Sequence, residues 1–268
     1  MSDRFAAPAL ARKRFGQHYL VDDAIVDAII DTVAPQVGDH ILEIGPGGGV
    51  LTAALVASGA QVVAIEIDRD LAAVLASRYA DVPGFQLHIG DVLRFDLALL
   101  GTARRQWKAV GNLPYNISTP LIMRLLEQAD RFRALTLMVQ REVAERLAAG
   151  PGSTAYGRLS IMAQRRARIE IRIAVGPHSF APPPKVDSAV VQLEPFDTRF
   201  DPIVEEKLAL LVRDAFGARR KTIANALRPH LDKQLLVQCN IDPGARAEAL
   251  GVDDFVNLAR AVLEREPR

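Results

Sequence analysis

The feature that most constrains this chain is an alternation along its first two thirds, where short β-branched or aliphatic runs take turns with stretches of helical periodicity. Runs at 40–44, 61–67, 85–89, 108–110, 134–139, 168–175 and 188–193 read as strands, bounded by Gly, Pro or Asp. Helical stretches at 51–58, 69–78 and 120–128 lie between strands among the first five. Parallel neighbours need a crossover, usually a helix, so the pattern specifies a parallel, doubly wound, Rossmann-like α/β sheet with helices on both faces. Between the last two strands there is only the loop 176–187, so they read as an antiparallel hairpin at one sheet edge. After about residue 196 no strand is evident, and 202–216, 219–231 and 253–264 read as helices. The expected organisation is a basic N-terminal segment at 1–20, a seven-stranded catalytic domain at 21–196 and a small helical domain at 197–268.

Composition narrows the class of function. The formal net charge of +1 hides an asymmetry. Residues 21–110 hold twice as many acidic as basic side chains, while 140–185 carry a basic excess to which 1–20 add. A nucleic-acid partner would use such a distribution, though solvated faces would produce it as well. No run approaches the roughly 20 apolar residues of a membrane span. The basic N-terminus lacks the apolar core of a secretory signal. Cys239 stands alone and the histidines show no metal-ligand spacing, so neither a disulfide nor a metal is expected. A reducing, cytoplasmic setting and a monomer fit.

The run 40–44 leads into Gly45-Pro46-Gly47-Gly48-Gly49 and then a helix. Ligands of open α/β sheets bind beyond the carboxyl ends of the strands, and glycines let a backbone come close to them. Glu66 ends the second strand, where a carboxylate can accept from both hydroxyls of a ribose. The dinucleotide fingerprint requires a sixth-position glycine, but Val50 stands there. The compact loop, with Gly45 and Gly47 in it, suits a cofactor without a pyrophosphate, which points to S-adenosylmethionine. Asp91 after the third strand can accept from the cofactor's adenine amino group, or serve as an ordinary turn cap.

Asn112-Leu113-Pro114-Tyr115 follows the fourth strand. It suits methylation of an exocyclic amine. The lone pair of such a nitrogen is delocalised into its ring, so the nitrogen is planar and a poor nucleophile. Two acceptors facing its protons, the Asn112 side-chain oxygen and the Leu113 carbonyl, would favour a pyramidal nitrogen and stabilise the developing positive charge. Pro114 stiffens the turn, and Tyr115 can stack on a flipped-out base. Phe180, in the loop between the last two strands, could close the other face of that base or simply anchor a Pro-rich loop.

Taken together, the segments 13–20, 42–49, 90–91, 111–120, 178–191 and 216–227 resemble one family, the ribosomal RNA adenine dimethyltransferases, and most of all its bacterial small-subunit branch. The resemblance spans nearly the whole chain. It implies a class I methyltransferase sheet with a small C-terminal helical domain. It also implies that His18, Leu20, Gly45, Glu66, Asp91 and Asn112 contact the methyl donor. The family often carries Asn or His at position 18 and Phe at 19, so His18 and Tyr19 are mild variants. The implied substrate is a pair of adjacent adenosines in the loop of the 3′-terminal hairpin of 16S rRNA, dimethylated at N6 within an immature small subunit. Arg219, Arg220 and Lys221 would then grip phosphates, although without the resemblance they read as a solvated face. Two alternatives stay open: a non-enzymatic assembly factor on the same fold, and a large-subunit rRNA methyltransferase. A nicotinamide oxidoreductase fails at Val50 and leaves 112–115 unexplained.

Overall fold

The computed structural model describes residues 18–101, 104–198 and 200–265. The basic segment up to Gln17 lies outside the described residues, as does the 13–17 part of the first family-like motif. The chain divides into two compact units: Met1–Ala144 with Arg168–Phe196, and Glu145–Ala167 with Asp197–Arg268.

The first unit opens with β1 (Tyr19–Leu20) and α1 (Asp23–Val33). Asp22 caps α1 by accepting from the amides of Ala24 and Ile25 at 3.1 and 3.4 Å. The helix buries Val26, Ile29 and Val33, one stripe at helical spacing. Then come β2 (His40–Ile44), α2 (Val50–Ala57), β3 (Gln61–Glu66), α3 (Arg69–Arg78), β4 (Phe85–Ile89), β5 (Trp107–Asn112), α4 (Ser118–Glu127) and β6 (Phe132–Gln140). Next along the chain are α5 (Arg141–Ala148), α6 (Arg158–Gln164), which belongs to the second unit, and then β7 (Ala167–Val175), β8 (Phe180–Ala181) and β9 (Ser188–Pro195). The seven-stranded sheet runs β4-β3-β2-β5-β6-β9-β7. The pairs β3–β4, β2–β3, β2–β5 and β5–β6 are parallel, and β6–β9 is antiparallel. The order reverses between β2 and β5, which places a switch point at their carboxyl ends. Ile41, Leu42, Val62, Val110, Leu137 and Val139 are wholly buried, as strands covered on both faces require.

The second unit packs α6, α7 (Pro202–Gly217), α8 (Ile223–Ala226), α9 (Lys233–Gln238) and α10 (Val252–Arg265). Asp201 caps α7 through the Ile203 amide, with Pro202 at its first position. Leu208, Leu211 and Val212 meet Phe255, Leu258 and Val262 in one core. Tyr156 belongs to the same core, and its hydroxyl donates to the Leu250 carbonyl at 2.9 Å. Residues 145–167, read as no element in the sequence, thus supply part of this core. Buried Glu205 takes Arg165 at 3.0 Å and Arg166 at 3.2 Å, and the ring of Phe200 lies under both guanidiniums.

The helix expected over 219–231 is corrected. Only Ile223–Ala226 is helical. Thr222 is extended, with ψ 155°, and bridges to Arg246, which separates 219–221 from the helix. Pro229 would clash with the carbonyl four residues back if the helix ran on.

Candidate active site

One cavity opens at the carboxyl ends of β2, β3 and β5. Its wall includes His18, Leu20, Gly45, Gly47, Glu66, Asp91, Asn112, Leu113, Pro114 and Tyr115. The expected donor residues and the expected target-base motif therefore share one hollow, although up to 97 positions separate them along the chain.

On the donor side, Gly45 has φ +65° and an added Cβ would meet no protein atom within 4 Å, so the space it leaves belongs to the cavity. Glu66 is 3% exposed. One of its oxygens accepts from the Gly47 amide at 3.0 Å and the other from the Asp68 amide at 2.9 Å. Burial pushes its pKa up, and these amide donors oppose the push. Each carboxylate oxygen retains acceptor capacity after one such bond. The same carboxylate thus fixes the glycine loop and faces the cavity. Asp91 accepts from the Leu93 amide at 2.9 Å, so it caps its turn while lining the cavity, and the two readings of this residue coexist. Ile65, Ile67 and Val92 add apolar wall suited to a purine face. The residues present fit S-adenosylmethionine: a buried carboxylate at Glu66 with acceptor capacity left, an open cradle at Gly45 and an apolar slot.

On the acceptor side, the Asn112 amide nitrogen donates to the backbone carbonyl of His18 at 2.9 Å. A carbonyl can only accept, so this bond decides which end of the amide is which. The Asn112 oxygen is left to accept from something else. Tyr115 shares a hydrogen bond with Ser188 at 2.8 Å, and its ring stacks against His18 with centroids 5.7 Å apart and planes at 24°. The His18 ring is itself held, because its Nδ1 lies 2.8 Å from the Pro182 carbonyl and must be the donor there. Burial raises the Tyr115 pKa, so the ring is a neutral stacking surface near neutral pH.

The comparisons decide the family. A family model described as ribosomal RNA adenine dimethylase matches residues 9–263. The chain belongs to the ribosomal RNA adenine dimethylase family. It is 47% identical over 256 residues to a "Ribosomal RNA small subunit methyltransferase A" of Pseudomonas syringae pv. tomato, covering 95% of this chain and 96% of that one. A protein of the same name from Methylococcus capsulatus is 47% identical over 249 residues, with 93% and 96% covered. A crystal structure of a dimethyladenosine transferase from Plasmodium falciparum superposes with a TM-score of 0.76 at 28% identity, over 90% of this chain and 96% of that one. The 23S rRNA methyltransferase ErmE shares the fold, with a TM-score of 0.72 at 24% identity. As a member of this dimethylase family the chain is an rRNA adenine dimethyltransferase that uses S-adenosylmethionine as methyl donor, on a class I methyltransferase sheet.

Two of the expected functional residues, Phe180 for the base and Arg219 for phosphates, make other contacts. Phe180 is 4% exposed and packs in the core with Leu20, Val26, Ile29 and Val190. It pairs with Leu20 across β1–β8 and is not among the cavity-lining residues, so it anchors its loop rather than facing a base. Burying a whole ring in apolar surroundings outweighs leaving it at a wet surface. Arg219 donates to Glu248 at 3.0 Å and to the Thr154 carbonyl at 3.1 Å, which commits it to holding the second unit together. Its neighbours Arg220 and Lys221 are exposed. The sequence reading missed Glu43. This residue lies in the cavity wall at 1% exposure, and the signal that could have found it is an acid set in an otherwise aliphatic run.

Proposed function

We propose that this enzyme dimethylates N6 of two adjacent adenosines in the loop of the 3′-terminal hairpin of 16S rRNA, on immature small subunits, as a cytoplasmic monomer. Asn112 carries the reading. Its nitrogen is spent on the His18 carbonyl, so its oxygen faces the cavity chemistry as an acceptor, the role a planar amine needs. The names of relatives at 47% identity support the small-subunit choice. Among the described residues no helix is long and apolar enough to cross a membrane, in keeping with an enzyme that meets assembling ribosomes.

In the proposed site Glu66 holds the donor ribose, Asp91 the donor adenine, and Gly45 and Gly47 let the loop come close to the rest of the donor. The bound donor supplies an electrophilic methyl group. Asn112 and the Leu113 carbonyl orient the amine, and Tyr115 stacks on the base, an interaction worth ~1–3 kcal/mol against the few kcal/mol of unstacking. Small and large subunits from cells lacking the enzyme are each incubated with labelled donor, and the small subunits should gain two methyls on each of two adjacent adenosines of the 3′ hairpin. Label in 23S rRNA alone would favour the large-subunit reading, and binding without transfer would favour an assembly factor.

The phosphate-gripping role falls to Arg220 and Lys221. Changing both to Ala should flatten the salt dependence of subunit binding, by about 0.7–0.9 in log–log slope for each phosphate that is no longer neutralised. An unchanged slope means that these side chains are solvated surface.

A further inference from the structure

Glu43 is the feature that the proposed mechanism leaves unused. It sits in β2 between Ala64 of β3 and Val110 of β5, just before the glycine loop, and lines the cavity. It is 1% exposed, and neither carboxyl oxygen has a hydrogen-bond partner. The Thr52 hydroxyl and amide of α2 lie near enough to favour the charged carboxylate, but neither reaches it in the geometry of a well-formed hydrogen bond. A buried carboxylate left in this state costs several kcal/mol, so the group must be either neutral or paired. Its surroundings push the same way. Glu66 on β3 is a second acid facing it, and Tyr79 at the end of α3 feels its charge. Other titratable groups on the cavity wall are His18, Asp91 and Tyr115. Burial first, and the nearby Glu66 next, raise the Glu43 pKa to about 8, with Thr52 offsetting part of the rise.

A carboxyl with no partner in the protein is suited to a partner that arrives. The methyl donor carries a sulfonium and an ammonium group, and its demethylated product has lost the sulfonium charge. Ionising Glu43 beside Glu66 in a buried wall is disfavoured, and the donor brings positive charge that offsets it. We propose that Glu43 is a proton-linked counter-ion of the methyl donor: it is protonated in the free enzyme, loses its proton to solvent when the donor enters, and remains as a carboxylate paired with the donor's positive charge. The O–H bond of the carboxyl breaks, its electron pair stays on Glu43 and the proton goes to the buffer. The inference rests on the reading that the donor occupies this cavity.

The sign follows from linkage. The folded free enzyme binds a proton that the complex does not, so donor affinity must rise with pH below the free-enzyme pKa and flatten above it. The rise approaches tenfold per pH unit when one whole proton is released. The donor's own α-ammonium titrates near pH 8, so the window for measurement is about pH 6–7.

The test is calorimetric titration of S-adenosylmethionine into the full chain at pH 6.5, in two buffers of different ionisation enthalpy. Close to one proton should be released per donor bound, and affinity should increase nearly tenfold from pH 6 to 7. Glu43→Gln should release almost none, with affinity flat over the same range. The demethylated product should release fewer protons than the donor does. Donor binding to wild type without proton release overturns the proposal, and this measurement needs no variant to fold. Equal release from Glu43→Gln also overturns it, by moving the proton to His18, Glu66 or Asp91. If wild type binds no donor, or Glu66→Ala leaves donor affinity intact, it is the assignment of the cavity that fails.

Discussion

Asn112→Ala should slow single-turnover methyl transfer by about 10²–10³-fold with donor saturating, the loss expected when one preorganised electrostatic interaction is removed. The structure sharpens what that variant removes. In the native site the amide nitrogen holds the His18 carbonyl, so alanine deletes both the proposed acceptor for the amine and a tie to the residue just before β1. Asn112→Asp separates the two. It keeps an acceptor near the substrate but sets an oxygen against the His18 carbonyl, so a defect equal to that of alanine would assign the effect to the tie. Tyr115→Phe should be mild, because stacking needs the ring, and the cost is the bond to Ser188. Tyr115→Ala should be severe. No proton carrier is assigned to the amine, since its proton becomes acidic only as the methyl arrives. The single-turnover rate at saturating donor should then be nearly flat from about pH 6.5 to 9, with Glu43 already ionised in the complex. A bell-shaped profile would reveal an acid–base pair, and an unchanged rate in Asn112→Ala would place the reactive nitrogen elsewhere.

The parts of this molecule legible in the sequence are those set by local physics. The central strands β2, β3, β5 and β6 are largely aliphatic because both of their faces are covered, and the 45–49 loop is marked because a strand, a glycine cluster and a helix fall in succession. Asn112 to Tyr115 is marked by its chemistry. Long-range choices were not legible. Nothing local pairs Leu20 with Phe180, yet that two-residue ladder decides that Phe180 is buried. An apolar residue in a Pro-rich loop looks the same whether it anchors the loop or offers a ring. Arg219 likewise looks like part of a basic triplet until Glu248 and Thr154 are folded against it. Glu43 stands out in the sequence as an acid in an aliphatic run, but only the packed interior exposes its lack of a well-formed partner. By contrast, α1 was legible and missed: Asp22 before an apolar stripe at 26, 29 and 33 is a helix start by its cap and its spacing. Residue types over 219–231 suit a helix, but Pro229 forbids a continuous one there.

The second large effect is expected one residue before Asn112. A Cβ built on Gly111 would lie 2.5 Å from the Ile44 carbonyl oxygen and 3.1 Å from the Ile44 Cβ. The oxygen belongs to backbone, and β2 cannot retreat because Ile44 is in register with Ile65 of β3 on its other side. In Gly111→Ala, β5 must therefore move away from β2, carrying Asn112 with it. Overpacking of this kind costs about 1–3 kcal/mol of stability. A displacement of about 1 Å at the reacting groups can cost on the order of 10²-fold in rate. Gly45→Ala is the contrast. Its Cβ meets no protein atom within 4 Å, so the fold loses only the strain of a left-handed alanine, roughly 1–2 kcal/mol. The added methyl instead takes donor space, so the main loss should appear as weaker donor binding. Denaturant unfolding, donor titration and single-turnover rates on both variants separate the two cases. Gly111→Ala should bind donor in the folded fraction yet transfer methyl slowly, and Gly45→Ala should need far more donor to reach its rate. Wild-type stability and rate in Gly111→Ala would mean that β5 and β2 can part without moving Asn112, and the close approach of these strands would then have no part in placing the acceptor.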